Sequence, residues 1–156
     1  MRVSICAVGR LKKGPEAELI RDYLDRFART GRQLGLGPAD VIEIDERKAS
    51  TMSEEAALLR KAVQPGAVLC VLDERGKVMT SPDFAAQLAR WRDTGRGHVV
   101  FMIGGADGLH PDLRAQADAA LSLGKMVWPH MLARVMLSEQ IYRAATILSG
   151  SPYHRA

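Results

Sequence analysis

Short, almost entirely apolar runs alternate with longer amphipathic stretches along the chain, and this alternation constrains the fold more than any other feature. The clearest runs are residues 3–8, 67–72 and 98–103. Runs of this length that are apolar at nearly every position are typical of strands buried on both faces, as in parallel sheets. Parallel strands need crossover connections, and amphipathic segments of helical length lie between the runs. The pattern predicts one α/β domain over residues 1–156, with a mostly parallel sheet and helices on both faces.

Weaker signals complete the predicted order of elements. Residues 41–44 and 120–123 are further candidate strands, and helices are expected after Pro15, after Thr51, after Ser81 and, as a short one, from Pro111. The charged segment 73–77 directly follows a predicted strand. It is predicted to be a solvated turn, and a ligand contact at the strand end is the alternative.

The last predicted helix, residues 131–148, is apolar around most of its circumference. Such a helix must be buried on more than one side. If the sheet covers only one side, a second copy of the chain is expected to cover the other in a two-fold contact. The alternative is that this helix is central within its own chain.

Composition excludes several classes of protein. No apolar run approaches the roughly 20 residues that a membrane span needs, and the N-terminal apolar stretch is too short for a signal peptide. Cys6 and Cys70 lie inside apolar runs, so buried free thiols in a cytoplasmic protein are expected. The four histidines lack metal-ligand spacing, so no metal site is expected. Basic residues concentrate towards both ends, which permits a nucleic-acid partner without establishing one.

Glycines mark one candidate ligand loop. Residues 104–108, Gly-Gly-Ala-Asp-Gly, follow the fourth predicted strand, where ligands of α/β sheets bind. Their spacing does not match the dinucleotide fingerprint, and an ordinary tight turn remains the alternative. Residues 9–14 have the glycine spacing of a P-loop, but Pro15 and Glu16 occupy the positions of its Lys and hydroxyl residue.

The C-terminal segment brings three functional side chains together. Tyr153, His154 and Arg155 are consecutive, and such side chains can stack on a base, transfer a proton and hold a phosphate. The alternative for a terminal segment is a frayed tail.

Several motifs occur along the chain in an order and spacing that indicate one family. They are Leu72-Asp-Glu-Arg-Gly-Lys77, Ile103-Gly-Gly-Ala-Asp-Gly-Leu109, Leu121-Ser-Leu-Gly-Lys-Met126, Pro129-His130, Arg134-Val135, Glu139-Gln-Ile-Tyr-Arg-Ala144 and Pro152-Tyr-His-Arg155. Together they resemble the ribosomal RNA large subunit methyltransferase H family of the SPOUT superfamily. The resemblance covers the whole chain, and its last forty residues are the most specific part.

The resemblance implies both a fold and an activity. The implied fold is a SPOUT-type α/β sheet with a C-terminal trefoil knot, assembled as a homodimer. The implied activity is S-adenosylmethionine-dependent methylation of N3 of a pseudouridine in 23S ribosomal RNA, with the assembled ribosome as substrate. The main rival is a non-catalytic RNA-binding or ribosome-associated module, and a second rival is a small enzyme that binds another nucleotide.

Site residues follow from the same resemblance. His154 is expected to take the proton of the target base, Tyr153 to stack on that base, and Arg155 and Arg143 to hold phosphate or stabilise the imide anion. Two cofactor positions depart from the usual family pattern, since Gly124 replaces Ser and Val127 replaces Thr, which removes possible hydroxyl contacts. The residues expected to bind the cofactor are Leu72, Gly104, Gly105, Leu123, Gly124, Lys125, Met126, Val127, Trp128 and Pro129.

Overall fold

The computed structural model describes residues 1–155, in which five strands and five α-helices alternate. The predicted order of elements is confirmed, with small shifts at their ends. The strands are β1 Arg2–Val8, β2 Ala39–Ile44, β3 Val68–Val78, β4 His98–Ile103 and β5 Ala119–Ser122. The helices are α1 Pro15–Gly31, α2 Met52–Lys61, α3 Ser81–Asp93, α4 Pro111–Gln116 and α5 His130–Ser149.

The five strands form one sheet in which every pair is parallel, in the order β2-β1-β4-β3-β5. Because all strands run the same way, their carboxyl ends lie along one edge. The loops that follow β3, β4 and β5 therefore meet at that edge, where α/β proteins bind ligands.

Helices cover both faces of the sheet, as predicted. Side chains alternate along β1, so that Ile5 packs in a core with α1, α3 and α5, whereas Cys6 packs in a core with α2 and α4. Both residues are fully buried. This two-sided burial is the reason why the strand sequences are apolar at nearly every position.

Helix α5 lies between α1 and α3 on its face of the sheet. Leu137 and Ile141 are fully buried there. The expectation that only the sheet could cover this helix is therefore wrong, because two neighbouring helices of the same chain also cover it. The central position of α5 within its own chain explains why this helix is apolar around most of its circumference. The apolar circumference therefore does not support the predicted homodimer.

The predicted turn at residues 73–77 is also wrong, because β3 continues through this segment to Val78. Leu72 and Lys77 both pair with Leu121 of β5, so the residues between them form a bulge. At Gly76, an added Cβ would lie within 3 Å of the backbone of Ala120, which explains why glycine is needed at this close approach.

None of the helices in residues 1–155 combines the length and the apolarity that crossing a bilayer requires. The trefoil knot implied by the resemblance stays a prediction.

Candidate functional site

A cavity of about 460 Å³ opens at the carboxyl edge of the sheet. Three chain segments surround it: the bulge of β3, the glycine-rich loop after β4, and the loop between β5 and α5. His130 and Ala133, in the first turn of α5, also line it, as do Met52 of α2 and Pro111 and Arg114 of α4. Both the volume and the position are typical of a small-molecule site in an α/β protein.

Most of the predicted cofactor residues lie in the wall of this cavity. Lys125 and Pro129 belong to the loop between β5 and α5 but lie outside the lining. The predicted residues that line the cavity are Leu72, Gly104, Gly105, Leu123, Gly124, Met126, Val127 and Trp128.

Glycine is required at two positions of these loops. An added Cβ at Gly104 would lie 2.6 Å from the carbonyl carbon and oxygen of Gly108, inside the same loop. Gly124 has a φ of +110°, in the left-handed region that favours glycine. Its N–H donates to the Ser122 hydroxyl oxygen at 3.2 Å, and that hydroxyl donates to the Gly124 carbonyl at 3.1 Å. These requirements set the shape of two of the three walls.

A charged group at the cavity wall was missed by the sequence prediction. Arg114 of α4 donates from Nη1 to Oδ2 of Asp73 at 3.1 Å, and the backbone N–H of Arg75 donates to Oδ1 at 2.8 Å. Burial raises the pKa of Asp73, but these hydrogen bonds outweigh it and hold the pKa below its ordinary value. Asp73 and Arg75 lie in the family motif at residues 72–77. Arg114 is distant from them in sequence and comes close only in the folded chain.

Three of the predicted catalytic side chains, those of Arg143, Tyr153 and His154, form a second cluster, the tail cluster, where the C-terminal tail packs against α5. Glu139 accepts hydrogen bonds from Arg143 Nε at 3.0 Å and from the Tyr153 hydroxyl at 2.9 Å. The Arg143 guanidinium also lies 4.9 Å over the Tyr153 ring, and its Nη1 is 3.2 Å from His154 Nδ1. Burial, followed by the hydrogen bond to Glu139, raises the pKa of Tyr153 above its ordinary value. The tail therefore packs on α5 through residue 154, while Arg155 is exposed.

The tail cluster and the cavity lie at different places along the same helix. His130 lines the cavity, whereas Arg143, Tyr153, His154 and Arg155 lie outside its lining. At about 1.5 Å per residue, the helix places Arg143 about 20 Å from His130. Within one chain, the structure brings Arg143, Tyr153 and His154 together, leaves Arg155 exposed, and does not bring these residues to the cofactor candidates.

The basic loop after β1 is fixed to α5 by a buried arginine. Arg134 is 1% exposed and donates through Nη2 to the carbonyl oxygens of Val8 and Gly9. The next residues, among them Arg10 and Lys12, are exposed to solvent. In residues 1–155, no group of three or more His, Cys, Asp and Glu side chains is arranged to hold a metal ion.

Comparison with known proteins identifies the family. A family model described as "Predicted SPOUT methyltransferase" matches residues 1–154. The chain belongs to the SPOUT methyltransferase family. Curated relatives include Ribosomal RNA large subunit methyltransferase H of Ruegeria pomeroyi, which is 68% identical over 155 residues. The protein of the same name from Roseobacter denitrificans is 67% identical, and both alignments cover 99% of each chain. The family resemblance predicted from the motifs is confirmed.

Solved structures support the SPOUT methyltransferase fold. A probable methyltransferase from Bordetella pertussis has a TM-score of 0.55 at 17% identity, covering 92% of this chain and 96% of that one. A probable methylase family protein from Haemophilus influenzae has a TM-score of 0.53 at 12% identity, covering 99% of this chain and 70% of that one. These similarities concern the fold alone, and they agree with the predicted fold class.

Proposed function

We propose that this SPOUT methyltransferase transfers a methyl group from S-adenosylmethionine to N3 of a pseudouridine in 23S ribosomal RNA. The observation that most directly supports this proposal is the cavity at the carboxyl edge of the sheet, which lies where the family resemblance puts the cofactor. The names of the curated relatives support ribosomal RNA of the large subunit as substrate. The assembled ribosome in the cytoplasm is the proposed setting.

The cavity fits S-adenosylmethionine in size and in chemistry. The apolar side chains of Leu72, Ile103 and Leu121 line it and suit an adenine ring, and the glycine loops let backbone N–H and C=O groups approach closely. The carboxylate of Asp107 and the guanidinium of Arg114 also line the cavity, which suits a ligand that carries both positive and negative groups. When bound, the cofactor supplies a methyl group that is already activated on a sulfonium. In this proposal the loops hold and orient it, with Leu72, Gly104, Gly105 and residues 123–129 as the binding positions.

The tail cluster supplies groups suited to the target base. Tyr153 offers an aromatic face for stacking, and Arg155 offers a cationic donor for phosphate or for the negative charge that develops on the imide, whereas the Arg143 guanidinium is bound to Glu139 and His154. Nδ1 of His154 lies 3.2 Å from Nη1 of Arg143, and the Nε2 edge of the ring is proposed to face the base. Aligning the reacting atoms can lower the activation barrier by roughly 7–11 kcal/mol, so positioning is the largest contribution of the protein to the rate in this proposal.

A homodimer would join the two clusters. The tail cluster lies about 20 Å along α5 from the cavity of its own chain. Next to that cavity, Met126 is 75% exposed and Val127 is 87% exposed, which forms an apolar patch of the kind that partners cover. We therefore propose that a second copy covers this patch and places its own tail over the cavity. Each active site then takes the cofactor loops from one chain and the tail from the other.

Exposed basic side chains are suited to hold the RNA. Arg10, Lys12 and Lys13 lie in one exposed loop, and Arg155 extends from the tail. These residues offer contacts to the phosphate backbone, and binding through them weakens as salt is added.

The test is transfer of labelled methyl groups to ribosomes from cells that lack this gene, with the modified nucleoside identified by mass spectrometry. We expect the label in N3-methylpseudouridine. Ribosomes from cells that carry the gene are the matched control, and they should accept no label because the position is already modified. Ribosome binding without methyl transfer and without cofactor binding would contradict the proposal and favour a non-catalytic RNA-binding module.

A further inference from the structure

We infer that Glu139 and Arg143 fix the imidazole of His154 as a hydrogen-bond donor to the target base, so that His154 stabilises the imide anion and does not take its proton. The inference rests on the proposed function, and it changes the role that the sequence alone assigns to His154. Glu139 acts in it as a positioning residue.

The contact between Arg143 and His154 determines which ring nitrogen carries the proton. Nη1 of Arg143 lies 3.2 Å from Nδ1 of His154. A guanidinium has only donors, so Nδ1 must be the acceptor. In the neutral imidazole the proton is then on Nε2. The one lone pair on the nitrogens of the neutral ring is then engaged by the guanidinium.

Glu139 holds the arginine in this orientation. Its Oε1 accepts from Arg143 Nε at 3.0 Å, from Arg143 Nη2, and from the Tyr153 hydroxyl at 2.9 Å. Its Oε2 accepts from the Gln140 side-chain amide at 2.9 Å. The hydrogen bond to Glu139 also raises the pKa of Arg143, which keeps the guanidinium charged. With one edge bound to the carboxylate, the guanidinium directs Nη1 at His154.

In this arrangement the N3 proton goes to water, and His154 stabilises the negative charge that remains on the base. The N3 proton passes to solvent water, and the electron pair left on N3 forms the new bond to the methyl carbon. The electrons of the broken carbon–sulfur bond stay on sulfur, which leaves as a neutral thioether. Before that bond forms, negative charge spreads onto the carbonyl oxygens beside N3. The Nε2–H of His154 is a neutral donor suited to such an oxygen, as a preorganised donor suits any developing oxyanion.

The first test compares two substitutions of His154 in the ribosome methylation assay. His154→Gln keeps an N–H donor but offers no base, whereas His154→Ala removes both. We expect His154→Ala to lower kcat about 100-fold or more, as loss of an oxyanion donor does, and His154→Gln to stay within about tenfold of wild type. Equal loss in both variants, beside an active wild type, would overturn the inference. An inactive wild type would instead overturn the proposed function.

The second test asks whether Glu139 acts through His154. Glu139→Gln should lower kcat, leave the KM for S-adenosylmethionine unchanged, and have little further effect in the His154→Ala background. The matched control is Asp25→Asn, the same change of carboxylate to amide at an exposed position of α1, which should leave kcat unchanged. The same fold-loss in both backgrounds would overturn the positioning role.

A third variant covers the case in which Glu139→Gln fails to fold. Arg143→Lys keeps the charge but replaces the planar fork by a point charge, which cannot bind the carboxylate in the same way and hold Nδ1. We expect a loss of kcat that is again absent in the His154→Ala background. Wild-type kcat in Arg143→Lys would overturn the inference.

Discussion

Replacing Gly104 by Ala is expected to distort the loop after β4 and to weaken cofactor binding. The added Cβ would lie 2.6 Å from the carbonyl carbon and oxygen of Gly108, and the neighbour is backbone rather than a flexible side chain. Restoring an ordinary contact of about 3.5 Å requires the loop to move by about 1 Å. Overpacking of this kind costs about 1–3 kcal/mol. If the bound state bears this cost, affinity for S-adenosylmethionine falls about fivefold to 150-fold, as measured by calorimetry.

The adjacent glycine provides the control. At Gly105 the nearest atom to an added Cβ is a carboxylate oxygen of Glu55 at 3.3 Å, and that side chain can move. Gly105→Ala should therefore bind the cofactor nearly as tightly as wild type, whereas a bulky residue there should abolish binding. Equal affinities for Gly104→Ala and Gly105→Ala would refute the reasoning, because the loop geometry would then not control the site.

Three further predictions concern stability and reactivity. Leu137→Ala removes a buried side chain of α5 and should lower the free energy of unfolding, measured in urea, by about 2–5 kcal/mol. The control is Leu132→Ala, at a side chain that is 42% exposed, which should have a much smaller effect. Equal losses in the two variants would contradict the central position of α5. Because hydrogen bonding lowers the pKa of Asp73 despite its burial, wild type should be more stable than Asp73→Asn above about pH 4. That difference should disappear as the pH falls through the folded-state pKa, and a difference that grows in acid would contradict it. Burial raises the pKa of both Cys6 and Cys70 to about 12, so a thiol reagent at pH 8 should modify them only after unfolding, and equal rates in folded and unfolded protein would contradict their burial.

The sheet could be predicted from sequence because its strands are buried on both faces. Residues 3–8 and 98–103 are apolar at nearly every position, and runs of about six residues are too short for a typical helix. The continuation of β3 beyond Leu72 could not be predicted in this way. There the strand bulges away from the ladder, and charged residues follow one another without the alternation that identifies a strand.

The position of α5 shows a different limit. The apolar circumference of residues 131–148 correctly indicates burial on several sides, but a sequence does not say which elements provide the cover. Neighbouring helices of the same chain and a second copy leave the same pattern. The packing of α1 and α3 against α5 in the structure shows that helices of the same chain provide this cover.

The candidate site was predictable where its residues are close in sequence. The glycine loop at 104–108 and the tail at 153–155 are short contiguous segments, and family motifs mark both. Glu139 was missed because a single carboxylate on a helix carries no signal until the tail folds back onto it. Arg114 was missed for the same reason, since its partner Asp73 lies on another element.

The most direct test of a shared active site mixes two inactive variants. Gly105→Trp, a bulky substitution, abolishes cofactor binding at the loop, His154→Ala disables the tail, and heterodimers are isolated through two different affinity tags. If each site combines the cavity of one chain with the tail of the other, one of the two sites in the heterodimer is intact, and about half of the wild-type methyl transfer to ribosomes returns. Heterodimers that remain as inactive as the parent variants would contradict the account, because cavity and tail would then have to act within one chain.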